Sequence, residues 1–206
     1  MTGDSRFGIL REALATHVSH ANDAARVSAG FFEAAVALVL RGREPLELLL
    51  IKRARRQGDP WSGHIALPGG RRDRSDDSLV RTAVRETEEE TGLDLDQFGL
   101  HLGQLEALRP RSTVLPQLSV TPQVFGVPAD SCASAISAEV EAVHWVALDV
   151  LHLPETRSEA EVPLPGGACT FPCFRIGDDI VWGLTYRILD DFLARAPRVF
   201  PPRQGG

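Results

Sequence analysis

The chain has only three cysteines in 206 residues, Cys132, Cys169 and Cys173. An odd, sparse set reads as reduced thiols, not as a disulfide framework. Cys169 and Cys173 have no neighbouring His or Cys to complete a tetrahedral zinc pattern. The first residues, Met1 to Ser5, lack the basic stretch and apolar run of a secretory leader. Long apolar runs are missing as well. Ala34–Leu40, among the longest, is far too short to cross a bilayer core of about 30 Å. These absences point to a cytoplasmic protein with no membrane partner. Positive charge is in deficit, with 22 Lys and Arg against 28 Asp and Glu and a net charge of −6. Nucleic acid is therefore not an expected partner, and with 6% aromatic residues there is no platform for RNA. No repeat or low-complexity tract interrupts the chain.

What remains is the composition of an ordinary globular chain, 43% hydrophobic and 24% charged. Its length suits one medium domain. Phe7–Val18 carries apolar residues at Phe7, Leu10, Leu14 and Val18, near the helical period. Ala34–Leu40 and Leu46–Ile51 are branched apolar stretches joined by Arg41-Gly42-Arg43-Glu44-Pro45, the pattern of a hairpin. Gly58–Gly70 is rich in breakers, with a short strand expected at Ile65–Leu67. A helix is predicted from Ser78 to Thr91, capped by Asp76 or Asp77 and ended by Gly92. Leu102–Leu108, Ser119–Phe125, Val143–Val146 and Asp179–Trp182 are further strand candidates, and a last helix spans Gly183–Arg195. A Pro-rich tail follows Ala196. Strands and helices interleave, so the fold class is α/β with a mixed sheet. The N-terminal helix and the tail could mediate a homodimer or cover the core.

The chemistry concentrates in Arg85-Glu86-Thr87-Glu88-Glu89-Glu90. Glu86, Glu89 and Glu90 share one helical arc, because i, i+3 and i+4 lie on one face. Val80, Val84, Thr87 and Thr91 share another, suited to a core. Two charges about 5 Å apart repel by roughly 3 kcal/mol at an effective dielectric near 20. A fully solvated face would relieve this cost; in a cleft, a divalent cation would offset it. Oxygen-only ligands suit Mg²⁺ or Mn²⁺. Leu67-Pro68-Gly69-Gly70 precedes the helix, and paired glycines let backbone approach a ligand closely. Arg85 can pair with one of the carboxylates or with an upstream Asp. Arg53, Arg55 and Arg56 belong to a basic stretch running from Arg41 to Arg74. That stretch is either a solvated surface or a cradle for an anionic substrate.

Gly70 to Leu93 resembles the signature of the Nudix hydrolase superfamily, with Arg85-Glu86-Thr87-Glu88-Glu89-Glu90-Thr91-Gly92-Leu93 matching its core. The resemblance implies a Nudix-type α/β/α sandwich. It also implies Mg²⁺- or Mn²⁺-dependent attack of water on a nucleoside diphosphate derivative. Glu86, Glu89 and Glu90 would hold the metal, joined by the Gly69 carbonyl. Asp77 would support Arg85, which lies one residue further from Gly70 than is usual. Glu89 is the first choice for the group that takes the water's proton, with Glu139 as a second.

Leu49–Arg53, Gly63–Gly70 and Val181–Leu189 are similar to segments of the coenzyme A pyrophosphatase branch, and the matches together span residues 30–195. Coenzyme A or a related compound is then the implied substrate, contacted by Arg53, Arg55, Arg56 and Gly70. That branch usually has an Arg where this chain has Asp59. ADP-ribose, NADH or another dinucleotide is an alternative substrate. A non-catalytic nucleotide-sensing module is an alternative of another class. Trp61 could stack on a base or pack in its loop, Trp145 and Trp182 are expected in the core, and Arg109 and Arg111 could contact phosphate.

Overall fold

The computed structural model describes residues 4–15, 32–55, 62–110, 118–164 and 167–196. Arg56, Asp59, Trp61, Arg111 and the Pro-rich tail lie outside these residues. The elements run α1 (Ser5–Ala15), β1 (Phe32–Arg41), β2 (Glu47–Arg53), β3 (Ile65–Ala66), β4 (Gly69–Arg71) and α2 (Leu79–Thr91). They continue with α3 (Leu95–Phe98), β5 (Leu100–Gln104), β6 (Leu118–Val127), β7 (Val140–Ala147), β8 (Arg157–Leu164), β9 (Gly167–Ile176), β10 (Asp179–Trp182) and α4 (Gly183–Arg195).

The expected hairpin forms, with Leu40 opposite Leu48 and Arg41 opposite Glu47. Beyond those pairs β1 and β2 part, and the chain from Ile65 to Arg71 fills the fork. Its first half pairs with β2, Ile51 against Ala66 and Lys52 against Ile65. Its second half pairs with β1, Ala35 against Gly70 and Val36 against Gly69. β6 runs parallel to β1 on the other side, β5 follows it antiparallel, and β7 pairs antiparallel with β2. The sheet is therefore mixed. A second, antiparallel sheet has the order β10-β9-β8. Lys52 Nζ to Asp179 Oδ1, 2.9 Å, ties the two sheets together.

Alternation along β1 divides its side chains between two cores. Leu38 and Leu40 join Phe7, Leu10, Leu14, Ile188, Leu189 and Phe192, so α1 and α4 cover one face. Ala35, Ala37 and Val39 join Ala83, Val84 and Phe125, which seats α2 on the other. The N-terminal helix thus covers the core within its own chain, where Phe7 packs against Gly126 and Leu14 against Gly103. No helix among the described residues is long and apolar enough to cross a membrane.

Several expectations shift. The strand expected at Leu102–Leu108 is β5, which begins at Leu100 and ends at Gln104, and Leu108 makes an isolated bridge to Val120. Trp145 and Trp182 are half-buried, and Trp145 packs against the core shared with α2. Trp145 lies beneath the Arg41 guanidinium at 4.0 Å, and Trp182 meets His64 edge-on at 5.0 Å. The thiols are free, Cys132 and Cys169 exposed and Cys173 buried.

Candidate active site

Helix α2 begins at Ser78, whose extended backbone and side-chain oxygen cap it by accepting from Arg81 N at 3.2 Å. This corrects the expectation that Asp76 or Asp77 caps the helix. It ends at Gly92 in the left-handed conformation, φ 68°, with its N–H on the Glu88 carbonyl. Thr82, Ala83, Val84, Thr87 and Thr91 are buried beneath it. The hydroxyls of Thr87 and Thr91 donate to the carbonyls four residues back, at 2.7 and 2.6 Å. That bond lets a polar side chain sit where the apolar pattern is expected.

The three glutamates of the shared arc do not share one environment. Glu90 is only 5% exposed and accepts from the Gly69 N–H at 2.9 Å. The Glu86 carboxylate lies over Gly70, so close that a Cβ on that glycine would stand 2.4 Å from it. The Glu89 side chain is 59% exposed and turned to Arg85 Nη1 at 3.2 Å. Among the described residues, no three His, Cys, Asp or Glu side chains converge as a ready-made metal cage. Glu86 and Glu90 face the glycine strand, and Glu89 stands at its rim. Gly69 suits this place: its φ is 150°, and a Cβ would lie 2.3 Å from the Ala35 carbonyl oxygen. Pro68 and Arg72 direct their backbone bonds to β1, so Gly69 between them points its N–H at α2.

Arg85 is the organising cation. Its Nε and Nη2 donate to the two oxygens of Asp76 at 3.1 and 2.9 Å. Nη1 donates to Glu86 at 2.9 Å, and Nη2 also reaches the Arg71 carbonyl at 3.1 Å. Asp76 in turn accepts from Asp73 N and Thr82 Oγ1, both at 2.9 Å. The supporting acid is therefore Asp76, correcting Asp77, whose carboxylate accepts from Ser78 Oγ instead. Counting back from Arg85 misleads because the stretch between Gly70 and Arg85 is one residue longer than usual. The guanidinium, above all, holds the Asp76 carboxyl well below the usual carboxylate range, and Asp76 raises Arg85 in return.

The glutamates shift the other way. Burial raises Glu86, with the bond from Arg85 opposing it. Burial pushes Glu90 up to about 7; the Gly69 N–H and Arg53 oppose that rise, while Glu86 and Glu139 add to it. Arg53 and Glu139 thus both act electrostatically on Glu90. The segment from Ser131 to Glu139 carries the latter there. It donates from Ser134 N to the Thr91 carbonyl and from Ile136 N to the Glu90 carbonyl, 2.9 and 3.3 Å, and Ala54 N fixes the Glu139 carbonyl at 2.8 Å. Arg55 is exposed and lies along Gly63. The Arg109 carbonyl accepts from Arg187, and Arg56 lies outside the described residues.

Two carboxylates at a glycine-lined strand, a third at the rim and an arginine clamp behind them form one cluster. Residues 31–165 match the NUDIX domain. The chain belongs to this family of pyrophosphohydrolases, on that match and on its likeness to the human protein that follows. Mitochondrial coenzyme A diphosphatase NUDT8 of Homo sapiens is 34% identical over 170 residues, covering 77% of this chain and 67% of that protein. Peroxisomal coenzyme A diphosphatase ndx-8 of Caenorhabditis elegans is 35% identical over 130 residues, 62% of this chain and 53% of that one. An uncharacterized protein of Schizosaccharomyces pombe is 37% identical over 118 residues, but this chain spans only 36% of its length. Among solved structures, a MutT/nudix family protein from Enterococcus faecalis superposes with a TM-score of 0.54 at 20% identity, covering 81% of this chain and 62% of that one. That likeness speaks for the fold.

Proposed function

We propose that the protein hydrolyses the diphosphate linkage of coenzyme A or a coenzyme A-like nucleoside diphosphate derivative, using Mg²⁺ or Mn²⁺. The observation that carries the metal is the buried Glu90 carboxylate, held by Gly69 beside a second carboxylate, Glu86. Such a pair is costly without a cation, and its hard oxygen donors match these ions. Glu86, Glu89 and Glu90 would hold the metal with the Gly69 carbonyl. The bound ion supplies charge neutralisation on the diphosphate and lowers the pKa of water.

The chain's own residues do the remaining work. Asp76 fixes Arg85, and Arg85 fixes Glu86, so the carboxylate geometry is set before substrate arrives. Gly70, having no side chain, leaves room for the Glu86 carboxylate. Arg53 and Arg55 offer charge to the departing phosphates. Glu89 is our first choice to accept the water's proton, and Glu139 is the second. The substrate class rests on the similarity to two coenzyme A diphosphatases. The cytoplasmic location read from the sequence stays part of the proposal, and cell fractionation tests it.

The test is a substrate panel of coenzyme A, ADP-ribose and NADH with Mg²⁺ or Mn²⁺. Coenzyme A is expected to yield two phosphate-bearing products. Rapid turnover of ADP-ribose with coenzyme A untouched would overturn the substrate. Full activity of both Glu89→Gln and Glu90→Gln would overturn the site.

A further inference from the structure

The segment between β6 and β7, residues 128–139, contains no helix or strand, yet it is tethered at both ends and in the middle. At its start Arg43 Nε donates to the Ala129 carbonyl at 2.9 Å, and Arg41 Nη1 donates to the Ser131 carbonyl at 3.0 Å. In its middle the Ser134 and Ile136 amides take the carbonyls of Thr91 and Glu90. Those carbonyls belong to the last turn of α2, where a helix has no partners of its own to offer. The Ile136 side chain lies over Gly92, 3.5 Å from where a Cβ on that glycine would stand. At its end the Glu139 amide donates to Ser137 Oγ at 3.1 Å, and Ala54 holds the Glu139 carbonyl. The segment is a strap. It fastens the turn that carries Glu90, and it delivers Glu139, whose charge acts on Glu90.

Arg41 is the strap's main anchor. It is only 7% exposed, and its guanidinium is used on every edge. Nε and Nη2 pair with Glu47 at 2.7 and 2.6 Å, Nη1 holds Ser131, and the flat face lies on the Trp145 ring at 4.0 Å. Neutralising Glu47 needs only a positive charge. The third bond and the stacked plane need the fork of an arginine. Arg41 stands six strand residues from Ala35, the partner of Gly70, a separation of about 20 Å. It is too far away to touch a group held at Gly70. We infer that Arg41 and Ser137 are positioning residues for the reaction. Arg41 anchors the strap at its start, Ser137 shapes its last turn, and together they hold the Glu139 carboxylate at the Glu90 centre. The inference rests on the reading that this centre binds the metal and the diphosphate, and it applies whichever nucleoside diphosphate derivative is the substrate.

The experiment is a double-mutant cycle in the full chain, with Arg41→Lys and Ser137→Ala each made alone and together with Glu139→Gln. Two quantities are measured: steady-state kinetics on the nucleoside diphosphate derivative that turns over, and affinity for Mn²⁺. Each of the three single variants should lower kcat about fivefold or more with KM within about twofold, and should weaken Mn²⁺ binding about threefold. In the Glu139→Gln background, Arg41→Lys and Ser137→Ala should change either quantity by less than about twofold, because the group they position is already gone. Ser137→Thr keeps the hydroxyl and should behave as the unaltered chain. A purely structural role would act alike in both backgrounds, and it would spare Arg41→Lys, which keeps the charge opposite Glu47. Equal losses in the two backgrounds overturn the inference, as do unchanged kcat and Mn²⁺ affinity in folded Arg41→Lys and Ser137→Ala. If the coupling appears in Mn²⁺ affinity while coenzyme A is not cleaved, the substrate reading fails and the positioning role stands.

Discussion

Asp76 grips Arg85 with both carboxylate oxygens, 3.1 Å to Nε and 2.9 Å to Nη2, from a side chain only 5% exposed. Removing one partner of a buried ion pair leaves the other uncompensated, at a cost of about 3 kcal/mol or more. Asp76→Ala should therefore lower the unfolding free energy by roughly that amount, and catalysis should fall with it because Glu86 loses its fixed donor. Asp77→Ala, one residue away, should stay within about 0.5 kcal/mol of the unaltered chain. Urea unfolding of the two variants checks this, and equal losses would contradict the assignment of Asp76.

The two glycines of β4 should respond differently to alanine. At Gly69 a Cβ meets rigid backbone, the Ala35 oxygen and the Val36 Cα at 2.6 Å, at a φ disfavoured for side chains. Gly69→Ala should destabilise the fold by several kcal/mol, of order 3. At Gly70 the Cβ meets only the end of Glu86, which can swing aside. Gly70→Ala should fold with a melting temperature near normal, yet bind Mn²⁺ about tenfold more weakly or worse. Calorimetry and metal titration separate the two effects.

Stability should depend on pH with opposite signs at the two ends of the acid range. Glu90, pushed up from 4.5 to about 7, binds more protons folded than unfolded across that interval. Its contribution is complete below about 4.5 and is lost as pH rises through 7. Asp76 is shifted downward, so its contribution is complete above its unfolded value, about 3.9, and is lost as the medium turns more acidic. Metal-free protein should therefore melt highest near pH 5 and lose stability toward 7. Glu90→Gln should flatten that decline. Mn²⁺, which needs the ionised carboxylate, should bind more tightly as pH rises and level off above about 7. Melting curves with and without Mn²⁺ provide the measurement. A metal-free melting temperature unchanged between pH 5 and 7 would count against the buried, strained state of Glu90.

Helix α1 is an integral wall of one core, since Phe7, Leu10 and Leu14 are all buried against it. Phe7→Ala should cost about 3–4 kcal/mol, the range for a buried aromatic. Ile9→Ala, on the exposed side of the same helix, should cost little. Chemical unfolding distinguishes this from a helix that merely rests on the surface.

Much of this architecture is legible in the residues, and the illegible parts share a cause. Gly92 announces the end of α2 because only a residue without a side chain adopts that conformation cheaply. The β1–β2 hairpin is visible in its branched, apolar stretches, and α4 keeps the limits its pattern suggests. β4 was hidden because paired glycines read as loop. Its pairing comes from the fork between β1 and β2, a property of three segments together. β8 and β9 were hidden because Glu159, Glu161, Pro163, Gly167 and Pro172 disguise strands that are defined mainly by each other. Within the candidate site, the acidic helix was plain, but helical phase could not tell Glu90 from Glu89. Their difference depends on Gly69, twenty-one residues upstream of Glu90. Asp76 was missed by one position because the sequence does not say where an additional residue is absorbed.

The fork in the sheet works like a keystone. The Ile65–Arg71 segment joins strands that would otherwise gape, and it presents Gly69 and Gly70 to the carboxylates in the same stroke. Opening the centre would mean unlacing the sheet, so the reactive geometry is as durable as the fold. Exchange of an exposed side chain at the margin, such as Arg55, leaves that seam undisturbed.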